Sequence, residues 1–485
     1  MPSPALLWFR TDLRLADNPA LAALDGRQVL PVYLLDEDSP GRWAPGGASR
    51  WWLHHSLEKL AADLAARGAP LLLLRGRAEL TIPALAAEIG AAEVLAARRY
   101  EPWAREADRR VHEALVADGR KLRLCSGALL HEPHRIATGA GKPYGVFTPF
   151  SKAVQAQVEI AAPLPAPARL HGLAHPPIGE SLADWRLLPR PPVPDWAAGF
   201  RASWQPGEAG GAARLARFVN AALAGYARQR DIPEGETTSA LSPHLAFGEV
   251  SPRQAWHAVG EAGAKFRSEL LWREFSYHQL WHRPELPETA LRPAYQKFPW
   301  QPDARLLRAW QQGRTGYPLV DAGMRQLWRT GWMHNRVRMV TASFLVKHLL
   351  QPWQDGASWF WDTLVDADLA NNSASWQWVA GCGADAAPYF RVFNPVLQGE
   401  KFDPAGSYVR RFVPELARLP DKWVHRPWEA PPEELARAGV RLGEGYPRPV
   451  VDHALGRQRA LDAFAALPKS ASGALEALGA EDRPV

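Results

Sequence analysis

Short apolar runs alternate with amphipathic stretches over the first 130 residues. Apolar runs of about four to eight residues between polar turns are typical of strands buried in a parallel sheet. They predict five strands, at residues 5–9, 28–35, 70–74, 93–97 and 121–125. The intervening stretches have helical spacing, and one of them ends on Gly68 as a stop signal. Residues 1–130 are therefore predicted to form a doubly wound, Rossmann-like α/β domain.

The first strand-to-helix connection of this predicted sheet reads RTDLRLADNPAL. Asp17 or Asn18 can cap the following helix, and Pro19 suits its first position. The connection has no G-x-G-x-x-G pattern, so a standard dinucleotide fingerprint is absent from it.

After the predicted α/β domain, the chain becomes rich in proline, with nine prolines between residues 161 and 194. Such a stretch predicts an extended connector without regular sheet or helix hydrogen bonds, within a Pro-rich linker at 131–200. A disordered linker and a connector that packs through Leu170, Trp185 and Leu187 both remain possible interpretations.

Apolar positions then recur with a spacing of about 3.6 residues, which predicts an all-α domain at 201–465. A short tail at 466–485 is expected to fray. Of 22 tryptophans, 15 lie after residue 200, so the unusual indole content belongs to the helical half. We expect Trp310 and Trp328 to be core residues.

Charge and cysteine content narrow the function classes. A net charge of +6 permits an anionic partner such as nucleic acid, although a basic surface also serves solubility. Two cysteines without a C-x-x-C pattern exclude a disulfide framework and common zinc and Fe–S sites, so no metal site is predicted. Cys382 is expected to be a small buried residue. The N-terminus lacks a signal-peptide pattern and no apolar run is long enough for a membrane span, so we expect a cytoplasmic protein.

Three segments of the helical half carry candidate chemistry. Hydroxyl residues precede Pro243, so Ser242 is predicted to cap a helix whose N-terminus offers a phosphate site, unless it is simply a capped helix. Glu269, Trp272, Arg273 and Ser276 have i, i+3, i+4, i+7 spacing and would form one face suited to a flat, hydrogen-bonding group such as a base. A partly solvated amphipathic helix is the alternative.

In the third segment, Asn335 and Met339 have i, i+4 spacing, with Arg336 and Arg338 available for anions. A core methionine beside solvated arginines is the alternative here. The most unusual segment is DADLANNSASWQW at 366–378, which combines two acids, two amides and two indoles.

A family resemblance connects these segments. In chain order, WFRTDLRLADNPAL, GKPYGVFTPFSKA, TTSALSPHLAFGEVSP, LLWREF, RTGYPLVDAGMRQLWRTGWMHNRVRMVTASFLVKHLL, DADLANNSASWQW and DAAPYFRVFNPVLQGEKFDP resemble the photolyase/cryptochrome flavoproteins. The likeness extends from about residue 5 to about 430 and is closest to microbial cyclobutane pyrimidine dimer (CPD) photolyases.

The resemblance implies an all-α domain that holds FAD, active in its reduced, anionic form. It assigns FAD binding to Tyr226, Thr238, Ser239, Ala240, Leu241, Ser242, Asp366, Ala367, Asp368 and Asn372. Asn372 matches the residue that faces flavin N5, where plant cryptochromes usually carry Asp. A neutral amide there favours the reduced, anionic flavin, because a carboxylate would repel it or donate a proton to it.

The resemblance also implies an electron chain through Trp376, Trp353 and Trp300, and a pocket for a flipped-out lesion. The pocket positions are Arg230, Glu269, Trp272, Arg273, Ser276, Asn335, Arg336, Met339 and Gln398. Glu269 and Asn372 are the candidate catalytic residues, and Glu269 is expected to meet a thymine carbonyl, as a neutral acid if the pocket is desolvated.

The implied activity is light-dependent repair of cyclobutane dimers in UV-damaged DNA by a monomeric deoxyribodipyrimidine photo-lyase. A (6-4) photolyase is the nearest alternative, but it is expected to have a histidine pair where this chain reads MHNRVRM. A cryptochrome-type photoreceptor is the other alternative, and it would be expected to carry a long extension after these motifs.

The resemblance also implies an antenna chromophore, a folate (MTHF) or a deazaflavin (8-HDF). Trp103 and Ala104 stand where folate-binding relatives show Asn and Glu, whereas Arg50, Trp51 or Trp52 could line an antenna pocket or an ordinary helix face.

Overall fold

The computed structural model describes residues 3–188, 195–385 and 390–468. They form two compact units. Unit 1 contains the chain up to residue 227 with 238–284 and 365–370, and unit 2 contains 228–237, 285–364 and the chain from 371.

A parallel sheet forms the core of the first part of unit 1. Its strands are β1 (Ala5–Phe9), β2 (Gln28–Leu35), β3 (Leu72–Arg75), β4 (Glu93–Ala97), β5 (Lys121–Cys125) and β6 (His171–Gly172). The order is β3-β2-β1-β4-β5, with Ala5 in register with Val29 on one side and Glu93 on the other. Strand β1 is buried throughout, as its apolar sequence predicts for a central parallel strand. The predicted doubly wound α/β fold is confirmed.

Helices fill the rest of the described chain. They are α1 (Pro19–Ala22), α2 (Gly47–Ala66), α3 (Ala78–Glu88), α4 (Pro102–Ala117), α5 (Phe147–Gln157), α6 (Ala198–Ser203), α7 (Glu208–Arg217), α8 (Leu223–Gln229), α9 (Ser242–Ala246), α10 (Pro252–Val259), α11 (Ala264–His282), α12 (Ala304–Gln311), α13 (Pro318–Thr330), α14 (Asn335–Ser343), α15 (Trp353–Thr363), α16 (Leu369–Ala380), α17 (Pro395–Phe402), α18 (Ser407–Phe412), α19 (Asp421–Val424), α20 (Pro432–Ala438) and α21 (His453–Ala465). The helical character predicted from residue 201 onward is confirmed. Most of the predicted tail lies outside the described residues.

The first loop of the sheet selects one of the two predicted caps. The Asn18 side chain accepts hydrogen bonds from the backbone N–H groups of Ala20 and Leu21, and Pro19 begins α1. Asp17 has a left-handed backbone (φ 50°) and binds other parts of unit 1 instead. Its carboxylate accepts from the Ser251 hydroxyl and pairs with Arg253 at 2.5 Å. The loop is thus fixed by an ion pair and a cap without a glycine fingerprint.

The Pro-rich connector is more regular than predicted. Residues His171 and Gly172 pair with β2 as strand β6, so the expectation of no sheet hydrogen bonds at 161–194 is wrong at these residues. Proline is absent from this short stretch, which leaves its backbone N–H groups available. Leu170, Trp185 and Leu187 are buried in the sheet's core, which confirms the packed interpretation.

Two further expectations need correction. Helix α9 begins at Ser242 and its N-cap is Leu241, one residue earlier than predicted, so Ser242 is not the capping residue. Trp310 is fully buried as expected, but Trp328 is 55% exposed and stacks on Trp359 with ring centroids 6.0 Å apart. The helical spacing of apolar residues predicts that Trp328 lies on a helix, but it does not show whether other side chains bury it.

In unit 2, helix α16 is anchored by one buried glutamine. Gln377 Nε2 donates to the carbonyls of Leu286 (2.7 Å) and Thr289 (2.9 Å), and its Oε1 accepts from Leu291 N–H (2.8 Å). All the hydrogen-bonding atoms of this side chain are therefore used, as burial requires. The same helix carries Asn372 and Trp376, whose positions this anchor fixes.

Among the helices of the described ranges, none is both long and apolar enough to cross a membrane.

Candidate functional site

A hydroxyl-rich turn in unit 1 precedes α9. Ala240 has a left-handed backbone (φ 46°), unusual for a residue with a Cβ, and Ser239 Oγ accepts from Leu241 N–H at 3.3 Å. Strained backbone of this kind is concentrated at functional sites. The turn brings the predicted residues Thr238 to Ser242 together, and their hydroxyls and backbone N–H groups suit a phosphate.

Tyr226, the other predicted phosphate ligand, is 7% exposed. Its ring makes edge contacts with Phe218 and Phe266, whose centroids lie 5.3 and 5.7 Å away. Packing on two rings fixes the direction of the phenol.

The acid pair of the segment 366–378 is placed in unit 1. Asp366 is 7% exposed, and Asp368 Oδ2 accepts a hydrogen bond from the Tyr277 hydroxyl. Burial and then the charge of Asp368 raise the pKa of Tyr277 well above its ordinary value, so the phenol stays protonated and remains a donor. One oxygen of Asp368 is thereby fixed, and its carboxylate suits the N–H and hydroxyl donors of a flavin.

Asn372 lies in unit 2, one turn before Trp376 on α16. Its Nδ2 donates to the Ala357 carbonyl at 3.0 Å. This bond uses one of the two Nδ2 hydrogens and fixes the orientation of the amide, whose Oδ1 is an acceptor. The structure therefore holds a neutral acceptor at the position that the resemblance assigns to flavin N5.

Of the three predicted electron-transfer tryptophans in unit 2, two are buried and the third is partly exposed. Trp376 and Trp353 are each 2% exposed, whereas Trp300 is only half-buried. Trp376 packs edge-on against Phe360 (5.0 Å) and Trp310 (6.2 Å), and Trp300 contacts Phe298 (4.4 Å). This ordering suits a path that begins inside the protein and ends at solvent.

Helix α11 places the four predicted lesion residues of unit 1 unequally. Trp272 stacks flat on Phe147, with centroids 3.7 Å apart and planes 6° from parallel. Glu269 is partly exposed and pairs with Lys265 at 3.1 Å.

The other two lesion residues of α11 are directed into the fold. Arg273 Nη1 donates to the Ala128 carbonyl at 2.9 Å, and the buried Ser276 donates to Trp272 O at 3.1 Å. The predicted recognition face is therefore narrower than its helical spacing suggests.

The lesion residues of unit 2 lie on α14, on α17 and at Arg230. Asn335 Nδ2 contacts Met339 Sδ at 3.9 Å, which confirms the predicted i, i+4 pairing. Arg336 pairs with Asp231 at 2.9 Å and lies 4.6 Å above the Phe402 ring. On α17, Gln398 Oε1 is a buried acceptor that has no hydrogen-bond partner within the described chain. A buried acceptor without a hydrogen-bond partner suits an N–H donor of a bound ligand.

His334, the N-cap of α14, adjoins these residues. Its Nδ1 accepts from Arg336 N–H at 3.2 Å. Burial lowers the pKa of His334 to about 4, although Asp231 acts in the opposite direction. The side chain is therefore a neutral helix cap near pH 7.

Sequence reasoning missed several residues of these groups. Phe147, which supports Trp272, lies in the quoted fragment GKPYGVFTPFSKA, so that fragment was the available signal. Tyr277 has helical spacing to Arg273 but is identified only by its contact with Asp368. Gly356, beside Trp376, has no signal in the sequence pattern.

The candidate antenna positions are occupied by internal packing. Trp51 and Trp52 are buried, and Trp52 Nε1 donates to Glu249 at 3.1 Å. Arg50 pairs with Glu37, the Arg99 guanidinium lies 4.5 Å above the Trp103 ring, and Ala104 is buried. These contacts favour the ordinary helix face for α2 over an antenna lining.

Comparisons with known proteins give consistent matches along the chain. The model of the DNA photolyase family matches residues 5–168, and that of the FAD binding domain of DNA photolyase matches 266–466. Deoxyribodipyrimidine photo-lyase of Agrobacterium fabrum is 50% identical over 478 residues, which cover 96% of this chain and 99% of the relative. Cryptochrome-2 of Arabidopsis thaliana is 40% identical, over 93% of this chain and 77% of the relative.

Among solved structures, a class III photolyase of Agrobacterium tumefaciens matches with a TM-score of 0.93 and 50% identity. The match covers 96% of this chain and 98% of that one. It extends through both the parallel sheet and the helical half.

Proposed function

Because this chain belongs to the DNA photolyase family, we propose that it is a light-dependent repair enzyme for cyclobutane pyrimidine dimers in UV-damaged DNA. The observation that carries the proposal is Asn372, a neutral amide held by the Ala357 carbonyl and followed one turn later by the buried Trp376. When bound, reduced FAD would supply the chemistry, which is a light-driven transfer of one electron to the dimer and its return after the dimer has split.

The donor set of the chain suits FAD. The turn at Thr238–Ser242 and Tyr226 would hold the phosphates, and Asp366 and Asp368 would accept hydrogen bonds from the flavin side. Asn372 would present Oδ1 to N5 without adding negative charge, which favours the anionic reduced cofactor. Trp376, Trp353 and Trp300 would carry an electron inward from solvent when the cofactor has become oxidised.

The lesion would be held by shape and by hydrogen bonds. Trp272, made rigid by Phe147, offers a flat apolar surface for a flipped-out dimer. Gln398 Oε1 would accept an imide N–H, and Glu269 would meet a carbonyl through a donor such as its partner Lys265 or a proton of its own. A dimer stacks and pairs poorly, so its extrusion costs less than that of an intact base.

His334 favours dimer repair over (6-4) repair. The (6-4) enzymes are expected to use a histidine pair here, whereas this segment has one histidine, neutral and engaged as a helix cap. The cryptochrome reading is favoured by the 40% identity to Cryptochrome-2, but the identity to the photo-lyase is higher, at 50%.

A folate or deazaflavin antenna, a monomeric state and a cytoplasmic location remain predictions. Extraction of the chromophores from purified protein, with chromatography against folate and deazaflavin standards, tests the antenna.

The experiment for the repair function uses an oligonucleotide with a single thymine dimer and protein confirmed to contain reduced FAD. Restored thymines in light but not in darkness support the proposal. Absence of repair in light contradicts it, and the (6-4) lesion and light-driven signalling would then be tested.

A further inference from the structure

A cavity of about 460 Å³ lies beside α12 in unit 2 and contains three arginines in its wall. The lining residues are Ala304, Arg305, Arg308, Ala309, Gln312 and Arg314. No carboxylate is among them. The volume is within the range of small-molecule sites, about 300 to 1,000 Å³.

The three arginines line one cavity although they lie in the first turn of α12, in its middle and beyond its end. Arg305 and Arg308 are three residues apart on α12 and therefore share a face. After the helix ends, Arg314 N–H donates to the Ala309 carbonyl at 2.8 Å, which turns the chain back toward that face. All three residues are exposed.

Among the described residues, the side chains of these arginines form no close polar contact, although the charges of Arg305 and Asp303 interact at longer range. In the described ranges, none of the three guanidinium groups forms an ion pair or a hydrogen bond. The Asp303 carboxylate is the neighbouring acid, and it caps α12 by accepting from the N–H groups of Arg305 (2.7 Å) and Leu306 (3.0 Å). By contrast, Arg325 on α13 binds both oxygens of Glu415 at 2.8 and 2.9 Å.

Three like charges at one cavity favour an anionic ligand. The planar, five-donor guanidinium group binds phosphate and carboxylate oxygens in pairs. An anion in the cavity would relieve the repulsion among the three cations.

The cavity also lies close to the predicted surface end of the electron chain. Trp300 precedes Ala304 by four residues, so their Cα atoms are at most about 14 Å apart. The connection is fixed, because Gln301 N–H donates to Leu350 O at 2.8 Å and Asp303 N–H to Gln351 Oε1 at 3.1 Å. Trp300 is half-buried and thus accessible.

We propose that this arginine pocket binds a small anionic electron donor, bearing phosphate or carboxylate groups, beside Trp300. The inference rests on the proposed function, since it requires Trp300 to lose an electron toward the photoexcited oxidised flavin. The donor then gives one electron to the oxidised indole. The donor is oxidised by one electron, Trp300 returns to its neutral form, and the electron cannot flow back from the flavin.

The first test follows the Trp300 radical after a laser flash in holoprotein with oxidised FAD. Ferrocyanide serves as the anionic donor and hydroxymethylferrocene as the neutral one. In the triple variant Arg305→Gln, Arg308→Gln, Arg314→Gln, we expect the second-order rate constant for ferrocyanide to fall at least about ten-fold at low salt. The rate constant for the neutral donor should not change.

The matched control removes the same charge from three other exposed arginines, Arg135→Gln, Arg169→Gln and Arg418→Gln. If this control slows ferrocyanide as much as the pocket variant does, net charge explains the effect and the pocket proposal is wrong. Unchanged ferrocyanide kinetics in the pocket variant also overturns it.

The second test measures binding directly by calorimetry, with inorganic pyrophosphate as the probe. Binding to the unmodified protein and its loss in the pocket variant are expected, and pyrophosphate should slow the reaction with ferrocyanide. If the pocket variant instead loses affinity for undamaged duplex DNA while pyrophosphate does not bind to either protein, the arginines contact a DNA backbone and donor docking is wrong.

Protein whose FAD has been reduced chemically does not need electron transfer through Trp300. Its repair activity therefore distinguishes failure of the pocket proposal from failure of the proposed function. The pocket variant, reduced in this way, should repair a thymine dimer in light at the normal rate. Normal repair with unchanged ferrocyanide kinetics rejects only the pocket, whereas absence of repair in both proteins rejects the proposed function.

Discussion

Gly356 on α15 lies directly against the indole of Trp376, so that a Cβ atom at residue 356 would overlap the ring. The indole of Trp376, predicted to lie on the flavin side of the electron chain, is thus positioned by the absence of a side chain on the neighbouring helix. We expect Gly356→Ala to displace Trp376 and slow light-driven reduction of bound FAD, and to destabilise the fold by about 1–3 kcal/mol. Transient absorption and urea unfolding measure these two effects.

Gly445→Ala is the control for this variant, because a Cβ there meets nothing closer than 3.9 Å. It should leave both quantities unchanged. Photoreduction of the Gly356→Ala variant at the normal rate would contradict the claim that Gly356 sets the position of Trp376 for electron transfer.

Asn372→Asp tests the neutral amide. The new carboxylate would face the Ala357 carbonyl, which now accepts from Asn372 Nδ2 at 3.0 Å, and would place negative charge at the flavin position. We expect the fully reduced, anionic flavin to form incompletely during illumination with a reductant, as followed by its absorption spectrum. Asn372→Ala removes the same hydrogen bond without adding charge, so a similar spectrum in both variants would contradict the electrostatic explanation.

Trp272→Ala tests the stacking surface. Loss of base–aromatic stacking costs about 1–3 kcal/mol, so affinity for dimer-containing DNA should fall by about ten-fold or more. Affinity for undamaged duplex should stay the same in a fluorescence anisotropy titration. Trp328→Ala, which removes an exposed indole stacked on Trp359, is the matched control. Equal losses in the two variants would argue against Trp272 as a lesion contact.

Protonation of His334 is expected to lower the free energy of unfolding in mild acid. Its pKa is about 4 in the folded protein, below the 6.5 of an unperturbed histidine, because burial disfavours the charged ring. The unfolded chain therefore takes up a proton first as pH falls. The contribution of His334 is fully present above pH 6.5 and is lost as pH falls from about 6.5 toward about 4.

Between about pH 7.5 and pH 5, this linkage amounts to roughly 2 kcal/mol of unfolding free energy. His334→Asn keeps a good N-cap but does not titrate, so it should lose correspondingly less stability over this range. Urea unfolding at both pH values measures the difference. Identical pH dependence in the two proteins would show that His334 does not remain neutral in the fold.

The centre of the sheet was predictable because its central strand is apolar on both faces. The run at residues 5–9 has no polar side chain, and it forms the central strand β1. The start of α1 was narrowed to Asp17 or Asn18 by residue type alone, but the choice depended on Ser251 and Arg253, more than 230 residues away in the chain. Long-range partners of this kind leave no local pattern.

Helical spacing predicted the contact of Asn335 with Met339, but most candidate site residues could be proposed only through long motifs. Helical spacing grouped Arg273 and Ser276 with Trp272, yet contacts with Ala128 O and with the helix backbone direct them elsewhere. Trp328 and Trp310 have similar sequence surroundings, but Trp310 is fully buried against Trp376 and Phe360, whereas Trp328 stacks on Trp359 and remains 55% exposed. Gly356 acts through the space it leaves open, which no pattern of hydrophobic and polar residues reveals.

The most direct test of light-dependent dimer repair uses an oligonucleotide with one thymine dimer and protein that contains reduced FAD, compared in blue light and in darkness. We expect intact thymines to appear only in light, and their yield to fall strongly in Trp272→Ala and Asn372→Asp. Dimer that remains unrepaired in light, with reduced FAD confirmed by absorption, would contradict the assignment of this chain as a CPD repair enzyme.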